Sequence, residues 1–270
     1  MPVVAAFVMP GLPHMVLKPD APAWQRLGKA ATAAGAALAA YRPDTVAIYS
    51  TQWIAVLDQL WQTKPRLSGV HVDENWYEWG DLPFDITIDV ALAEACVAAG
   101  TKSGLRSKGV NYEGFPIDTG AIVAAHFLDP GHRQPTIVTA NNVYHDWAKT
   151  EQIGGIVRAM ADEQNKRVAV VGVGGLSASM FRRPIDPAED HIANPHDDEA
   201  NRKILTALES GDADRVRAEA AAAAGAGPTD FGLKHLAFVL GALGGKPGKA
   251  TVHGYEPIYG TGGAVVEVPA

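Results

Sequence analysis

The chain has 270 residues, of which 47% are hydrophobic, and a formal net charge of −7 at pH 7. This length and composition suffice for a buried core in one large domain or two modest ones. The negative charge argues against a nucleic-acid-binding protein, because nucleic-acid phosphates need a basic surface. No apolar run reaches the roughly 18 residues that a membrane-spanning helix needs.

The cysteine usage and the N-terminus bear on the compartment of the protein. A single cysteine, Cys96, leaves no partner for an internal disulfide. Residues 2–6 lack the basic stretch that opens a secretory signal peptide. We therefore expect a soluble cytoplasmic protein that binds neither nucleic acid nor membrane.

Strand-like and helix-like segments alternate along the chain. Apolar runs predict strands at 3–9, 44–50, 135–140, 167–173 and 263–268. Helical patterns cover 22–41, 85–100, 149–164, 197–210, 212–224 and 230–243. Strands separated by helices predict a mainly parallel sheet flanked by helices. No flexible linker divides the chain, so we expect a single α/β domain over residues 1–270.

Two strand ends carry the most informative polar residues. The run 3–9 is followed by Pro10-Gly11-Leu12-Pro13-His14, and the run 44–50 by Thr51-Gln52-Trp53, which we interpret as a turn. Open α/β sheets place their ligands at the carboxyl ends of the strands. We therefore expect His14 and Gln52 to lie together, on adjacent strand ends.

Two longer segments interrupt the alternation. Residues 70–83 include Trp76, Tyr77 and Trp79 and are predicted to form an aromatic loop. This loop either contributes to a subunit interface, covers the mouth of a pocket, or folds onto its own core. Residues 177–195 contain several prolines and charges and are predicted to pass over the strand edge.

Other motifs have simpler interpretations than catalysis. Gly172–Gly175 resembles part of a dinucleotide fingerprint, but it follows a late strand and fits a glycine turn that permits close backbone approach. The histidines His191 and His196 near Asp190, Asp197 and Asp198 are interpreted as a solvated loop, because Pro195 interrupts the helix. The remaining histidines without ligand-like spacing are His71, His132, His145, His235 and His253.

Several short motifs in chain order resemble those of one enzyme family. They are Met9–His14, Tyr49–Trp53, Asp85–Asp89, Ile117–Gly120, Ala140–Asn142, Gly174–Ser177 and Tyr259–Gly263. With them the chain resembles the class III extradiol dioxygenases of the protocatechuate 4,5-dioxygenase β-chain type over nearly its whole length. It is similar in particular to the α subunits of two-subunit members that act on 2-aminophenol-type substrates.

The resemblance implies an iron site that this chain has lost. Catalytic members hold Fe(II) with two histidines and a glutamate and use another histidine as acid–base group. The first histidine matches His14, whereas Gln52 and Ala178 stand where the second and the acid–base histidine are expected. The glutamate position falls in the stretch 220–227, where Glu219 is near but out of register. We expect His14 to remain as a hydrogen-bonded remnant in an emptied pocket.

The resemblance therefore implies a non-catalytic α subunit, inactive alone and without a cofactor of its own. Its expected partner is a homologous β subunit that holds Fe(II), in an α2β2 heterotetramer. The alternative is an independent enzyme that uses the emptied cleft for other chemistry, with His14, His126 and Asp118 as its polar groups.

Overall fold

A large sheet organises the fold. The computed structural model describes residues 2–131 and 133–270. Within these ranges an eight-stranded sheet has the order β6-β3-β7-β2-β8-β1-β10-β9, and β4 pairs with β5 in a second sheet. The strands are β1 (Val3–Met9), β2 (Thr45–Ala55), β3 (Gln59–Gln62), β4 (Arg66–His71), β5 (Leu82–Thr87), β6 (Ser107–Val110), β7 (Thr136–Asn142), β8 (Val168–Val173), β9 (Thr251–Ile258) and β10 (Thr261–Pro269).

The centre of the large sheet is parallel. β8 pairs in parallel with β1 on one side and with β2 on the other, and β2 pairs in parallel with β7. Every residue of β8 is buried, as expected for a strand covered on both faces. β10 and β9 extend the β1 side as an antiparallel pair. The predicted α/β fold with a mainly parallel central sheet is therefore confirmed.

Helices cover both faces of this sheet. They are α1 (His14–Leu17), α2 (Pro22–Tyr41), α3 (Val90–Lys102), α4 (Thr119–Leu128), α5 (Trp147–Glu163), α6 (Pro195–Ser210), α7 (Ala213–Ala226) and α8 (Lys234–Ala242). Asp89, Asp118 and Asp146 are the N-caps of α3, α4 and α5, and the side chain of each accepts a hydrogen bond from a first-turn backbone N–H. None of the helices in the described ranges is long and apolar enough to cross a membrane.

Glycine lets α8 approach the sheet closely. A Cβ at Gly172 would lie 2.6 Å from the carbonyl oxygen of His235, and one at Gly174 would lie 2.6 Å from the Nδ1 of the same residue. The side chain of Val173 points the other way, against Gly120 of α4, because successive strand residues face opposite sides. The close backbone approach predicted for Gly172–Gly175 is therefore confirmed.

The turn predicted at residues 51–53 is wrong. β2 continues through Thr51, Gln52 and Trp53 to Ala55. Its pairing with β7 shifts register between Ser50 and Ile54. Such an irregularity re-aims side chains without ending the strand, so Gln52 leaves the sheet from a distorted strand rather than from a turn.

Two further boundaries differ from the prediction. The helix predicted at 85–100 begins at Val90, because the preceding residues form β5, which pairs antiparallel with β4. The segment 70–83 is accordingly part hairpin, with a 3-10 turn at Tyr77–Trp79 between its strands. The helix predicted at 230–243 begins at Lys234, since Phe231, Gly232 and Leu233 adopt positive φ angles.

Candidate functional site

Three parallel strands deliver their ends to one edge of the sheet. His14 follows β1, Gln52 lies in the distorted end of β2, and Ala178 follows β8. The expectation that His14 and Gln52 lie on adjacent strand ends is wrong, because β8 separates β1 from β2. They do share the carboxyl edge, since β1 and β2 both run parallel to β8.

His14 lies inside a cluster of aromatic rings. The centroids of Trp24, Trp76 and Trp79 lie 4.6, 4.3 and 4.9 Å from the His14 centroid, and that of Tyr259 lies at 6.0 Å. The side chain is fully buried, and neither ring nitrogen has a hydrogen-bond partner among the described residues. Burial lowers the pKa of His14 to about 3, so the ring is neutral at physiological pH. The expectation of a hydrogen-bonded remnant is therefore wrong.

The aromatic segment 70–83 supplies part of this cluster. Trp76 and Trp79 pack on His14, with their own centroids 4.6 Å apart, whereas Tyr77 is 61% exposed. Two of the three rings thus pack onto the chain's own buried residues, which matches the alternative of a loop folded onto its own core. Whether Tyr77 meets a partner chain stays a prediction.

Asp190 binds the Trp24 side chain and the backbone at Tyr259 by hydrogen bonds, and so fixes two of the residues around His14. Its carboxylate accepts hydrogen bonds from the indole N–H of Trp24 at 2.7 Å and from the backbone N–H groups of Tyr259 and Gly260 at 2.6 and 2.9 Å. Asp190 is half-buried, and Asp197 is buried in the first turn of α6. Assigning the region to a solvated loop is therefore wrong for these two carboxylates, because Asp190 binds α2 and the turn after β9 and Asp197 lies on a helix. The histidines His191 and His196 are exposed.

The β2 and β8 ends border a cavity of about 180 Å³. Its walls combine apolar side chains with a few polar groups. They are Pro10, Gly11, Leu12, Gln52, Gly175, Ser177, Ala178, Met180, Asp230 and Thr261. The structure therefore brings Gln52 and Ala178 to one cavity, whereas His14 lies outside its lining.

Asp230 is the functional candidate that sequence reasoning missed. Its Oδ2 accepts hydrogen bonds from the Gly175 backbone N–H at 2.6 Å and from the Thr51 hydroxyl at 3.1 Å. Burial raises the pKa of Asp230 to about 6, although both hydrogen bonds act in the opposite direction. The sequence offers one signal, an acidic residue directly after Pro228-Thr229, but its pattern predicts a helix over 230–243.

The family resemblance predicts a glutamate in the stretch 220–227, but this stretch does not line the cavity beside Gln52. It forms the end of α7, and its residues border a different cavity of about 380 Å³. Glu219 lines that second cavity, not the one beside Gln52.

The polar groups of the independent-enzyme alternative are not assembled. Asp118 is occupied as the cap of α4, where it accepts hydrogen bonds from the Ala121 N–H and the Ser50 hydroxyl. His126 lies in the last turn of α4, which places it roughly 12 Å along the helix axis from Asp118 at 1.5 Å per residue. Neither lines the cavity beside Gln52.

Within residues 2–131 and 133–270, the other histidines do not form a metal site. His71 contacts the Thr119 hydroxyl, His253 pairs with Glu267, and His191 contacts the Glu189 carbonyl. His235 is fully buried under Gly174, and burial lowers its pKa to about 3. His196 is exposed on α6 and His145 is partly buried. His132 lies outside the described residues.

The iron centre that the resemblance implies for catalytic relatives does not fit these side chains. A facial triad requires two imidazoles and a carboxylate. Gln52 offers a neutral amide, Asp230 is the carboxyl group that lines the cavity, and His14 is enclosed by carbon-rich rings. Among the described residues, no group of three His, Cys, Asp or Glu side chains is placed to hold a metal ion.

Comparisons with known proteins agree with this fold. Residues 5–268 match the family model described as the catalytic LigB subunit of aromatic ring-opening dioxygenase. The chain is 45% identical over 268 residues to a 2-aminophenol 1,6-dioxygenase alpha subunit of Pseudomonas sp., covering 99% of each chain. It is 26% identical to a beta subunit of the same name and genus, covering 98% of this chain and 93% of that protein.

A solved structure of low sequence identity supports the fold and nothing further. The chain superposes on an uncharacterized protein of Escherichia coli K12 with a TM-score of 0.70 at 16% identity, covering 98% of this chain and 99% of the other. Because the family model spans nearly the whole sequence, the chain belongs to the LigB family of aromatic ring-opening dioxygenases.

Proposed function

We propose that this chain is the supporting α subunit of a ring-opening dioxygenase for 2-aminophenol and that it cleaves no ring itself. The observation that carries the proposal is the set of side chains at the strand edge. Gln52 and Ala178 line the cavity, and His14 is sealed among aromatic rings. An amide and a methyl group supply neither a good iron ligand nor a proton relay. The 45% identity with an alpha subunit adds support.

The proposed partner is a homologous β subunit that holds Fe(II). The beta-subunit relative is similar to this chain over 98% of its length, and chains with the same fold present corresponding surfaces. Such surfaces suit a pseudo-symmetric pair, and two pairs would make an α2β2 heterotetramer. Binding of the α chain to the folded β chain stabilises the β chain by mass action. We place this complex in the cytoplasm.

The test is turnover by each chain alone and by their mixture. The α chain and a homologous β subunit are purified separately, loaded with Fe(II) under argon, and assayed with 2-aminophenol and oxygen. The proposal expects no turnover by the α chain and the highest rate in the mixture. Size-exclusion chromatography with light scattering then gives the stoichiometry.

The control is the β chain mixed with an unrelated protein of similar size, which should not raise its rate. Turnover by the α chain alone near the rate of the mixture would overturn the proposal. It would favour an independent enzyme instead.

A further inference from the structure

A second cavity, of about 380 Å³, lies between α6 and α7. Among the described residues, Ser177 is the one that lines both this cavity and the cavity beside Gln52. The Ser177 hydroxyl is already occupied, because it accepts hydrogen bonds from the Asn201 amide and the Gly262 N–H. The volume falls within the range of about 300–1,000 Å³ that is usual for small-molecule sites. The cavity between α6 and α7 is therefore a separate candidate site.

The direction of the two helices fixes which residues face each other across this cavity. Only Gly211 and Asp212 join α6 to α7, and so short a connection makes the helices antiparallel. A Cβ at Gly227, directly after α7, would lie 3.6 Å from the Oδ1 of Asp197 in the first turn of α6. The end of α7 therefore lies beside the start of α6.

One face of α7 forms a wall of the cavity. Glu219, Ala222, Ala223 and Ala226 all border it, and their spacing places them on one side of a helix. The three alanines have short side chains, which leave space between the helices and give the middle of the cavity a carbon surface. Glu219 lies at one end of this face, and Ala226, beside the start of α6, lies at the other.

Asp197 provides an unpaired carboxylate oxygen at the α6 end of the cavity. The residue lines the cavity and is 7% exposed. Its Oδ1 accepts a hydrogen bond from the Asn194 side-chain amide at 3.0 Å, whereas its Oδ2 has no partner among the described residues. A buried carboxylate oxygen without a donor destabilises the folded chain. A positively charged donor in the cavity would satisfy it.

Glu219 provides a second carboxylate at the opposite end. It is half-buried and makes no hydrogen bond to the described residues. Its charge acts on Lys203, whose pKa is raised first by the hydrogen bond to Glu199 and also by the charges of Glu199 and Glu219. Asp197 lies beside residue 227, and the eight residues from Glu219 to that point separate the two carboxyl groups by roughly 12 Å along α7.

The charges and the shape of the cavity narrow the class of ligand. Three carboxylates, those of Asp197, Glu199 and Glu219, stand against the single ammonium of Lys203, which leaves two negative charges and favours a dication. A metal ion does not suit the site, because no three His, Cys, Asp or Glu side chains are grouped to hold one in the part of the chain that the structure describes.

An ammonium group offers three donors and no acceptor, as a carboxylate oxygen requires. Two ammonium–carboxylate hydrogen bonds of about 2.8 Å each leave a gap between the two ends that a four-carbon chain spans. The methylene groups of such a chain would pack on the alanines of α7, as apolar stems of charged groups do elsewhere in proteins.

We infer that the cavity between α6 and α7 binds a short aliphatic diamine. One ammonium group meets Asp197, the other meets Glu219, and the carbon chain between them lies along Ala222, Ala223 and Ala226. This site lies outside the strand edge, and it neither supports nor requires the subunit role proposed above.

The experiment is calorimetric titration of the full α chain with 1,4-diaminobutane, 1-aminobutane and 1,4-butanediol. A buffer with about 0.15 M salt screens non-specific attraction to the acidic chain. We expect saturable one-to-one binding of the diamine, at least tenfold weaker binding of the monoamine, and no binding of the diol. Asp197→Asn and Glu219→Gln should each weaken diamine binding by about tenfold, because each removes a charge-assisted hydrogen bond.

A matched control separates loss of the site from loss of charge. Glu209→Gln removes the same charge from an exposed position of α6 that does not line the cavity, and it should bind the diamine like the wild type. Folding of each variant is checked by circular dichroism. If Asp197→Asn does not fold, Glu219→Gln still tests the site, because Glu219 is only half-buried.

Three results would overturn the inference. They are equal binding of the diamine and the monoamine, unchanged diamine binding in either folded cavity variant, and loss of diamine binding when a homologous β subunit is added. The last result would assign the cavity to a basic side chain of the partner instead. Turnover by the mixed subunits is measured separately, so failure of this inference and failure of the proposed function are distinguishable.

Discussion

Replacing His14 by leucine should remove much of the acid sensitivity of the folded chain. The folded pKa of His14 is about 3, against an ordinary value of 6.5. As the pH falls below 6.5, the unfolded chain takes up a proton at this residue and the folded chain does not. The free energy of unfolding therefore falls between pH 6.5 and pH 3. At about 1.36 kcal/mol per pH unit, the step from pH 7 to pH 5 costs about 2 kcal/mol at His14.

Two other buried groups with large pKa shifts, His235 and Asp230, contribute to the change in the free energy of unfolding. His235 has the same lowered pKa and adds about 2 kcal/mol. Asp230 acts in the opposite direction, because its folded pKa is raised to about 6 from 3.8. The penalty for ionising it in the folded chain is present above pH 6 and shrinks as the pH falls. It returns about 1 kcal/mol by pH 5. Between pH 7 and pH 5, these three groups should therefore lower the free energy of unfolding of the wild-type chain by about 3 kcal/mol. This is a substantial part of a typical stability of about 5–15 kcal/mol.

The assay is urea unfolding followed by circular dichroism at pH 7 and pH 5. His14→Leu changes ring contacts equally at both pH values, so those changes cancel in the difference. From pH 7 to pH 5, the free energy of unfolding of the variant should fall by about 2 kcal/mol less than that of the wild type. His196→Leu, at an exposed position on α6, is the control and should behave as the wild type. A His14→Leu difference within about 0.5 kcal/mol of the wild type would refute the argument that a neutral, unpaired ring lies in this cluster.

Three further predictions concern the site and the packing around it. Gln52→His should give neither turnover nor stoichiometric iron by elemental analysis, because Ala178 and the enclosed His14 are unchanged; stoichiometric iron in the variant would contradict the donor analysis. Asp190→Ala should lower the free energy of unfolding, measured in urea, by about 2–5 kcal/mol, because it leaves three N–H groups unpaired. A loss below about 1 kcal/mol would count against a stabilising role for these hydrogen bonds. Gly172→Ala should cost about 1–3 kcal/mol through its clash with α8, whereas Gly225→Ala, with open space at its Cβ, should stabilise by about 0.5–1 kcal/mol; equal effects would contradict the packing argument.

The central strands and the long helices were predictable because their patterns are local. β1 and β8 are continuous apolar runs, β7 has the β-branched pair Ile137-Val138 near its start, and α2 has an amphipathic, alanine-rich sequence. Short strands with mixed polarity, such as β3 and β6, give no such signal. They are defined by their pairing with distant strands, which a local pattern does not contain.

The details of the site depend on contacts between distant segments. Sequence reasoning identified His14, Gln52 and Ala178, but not that Trp24 and Trp76 enclose the first of them. It also missed Asp230, because Phe231 and Leu233 adopt left-handed backbone angles that delay the start of the predicted helix to Lys234. Side chains other than glycine rarely take these angles, so no local rule predicts them.

The carboxyl edge of the central strands has two halves that differ in how the space beside them is filled. On the β1 side, Trp76 and Trp79 fill the space around His14 with rings. On the β2 and β8 side, Gln52 and Ala178 border open volume. Restoring a metal centre would therefore need more than new ligands, because the aromatic cluster must also open before His14 can face the cavity.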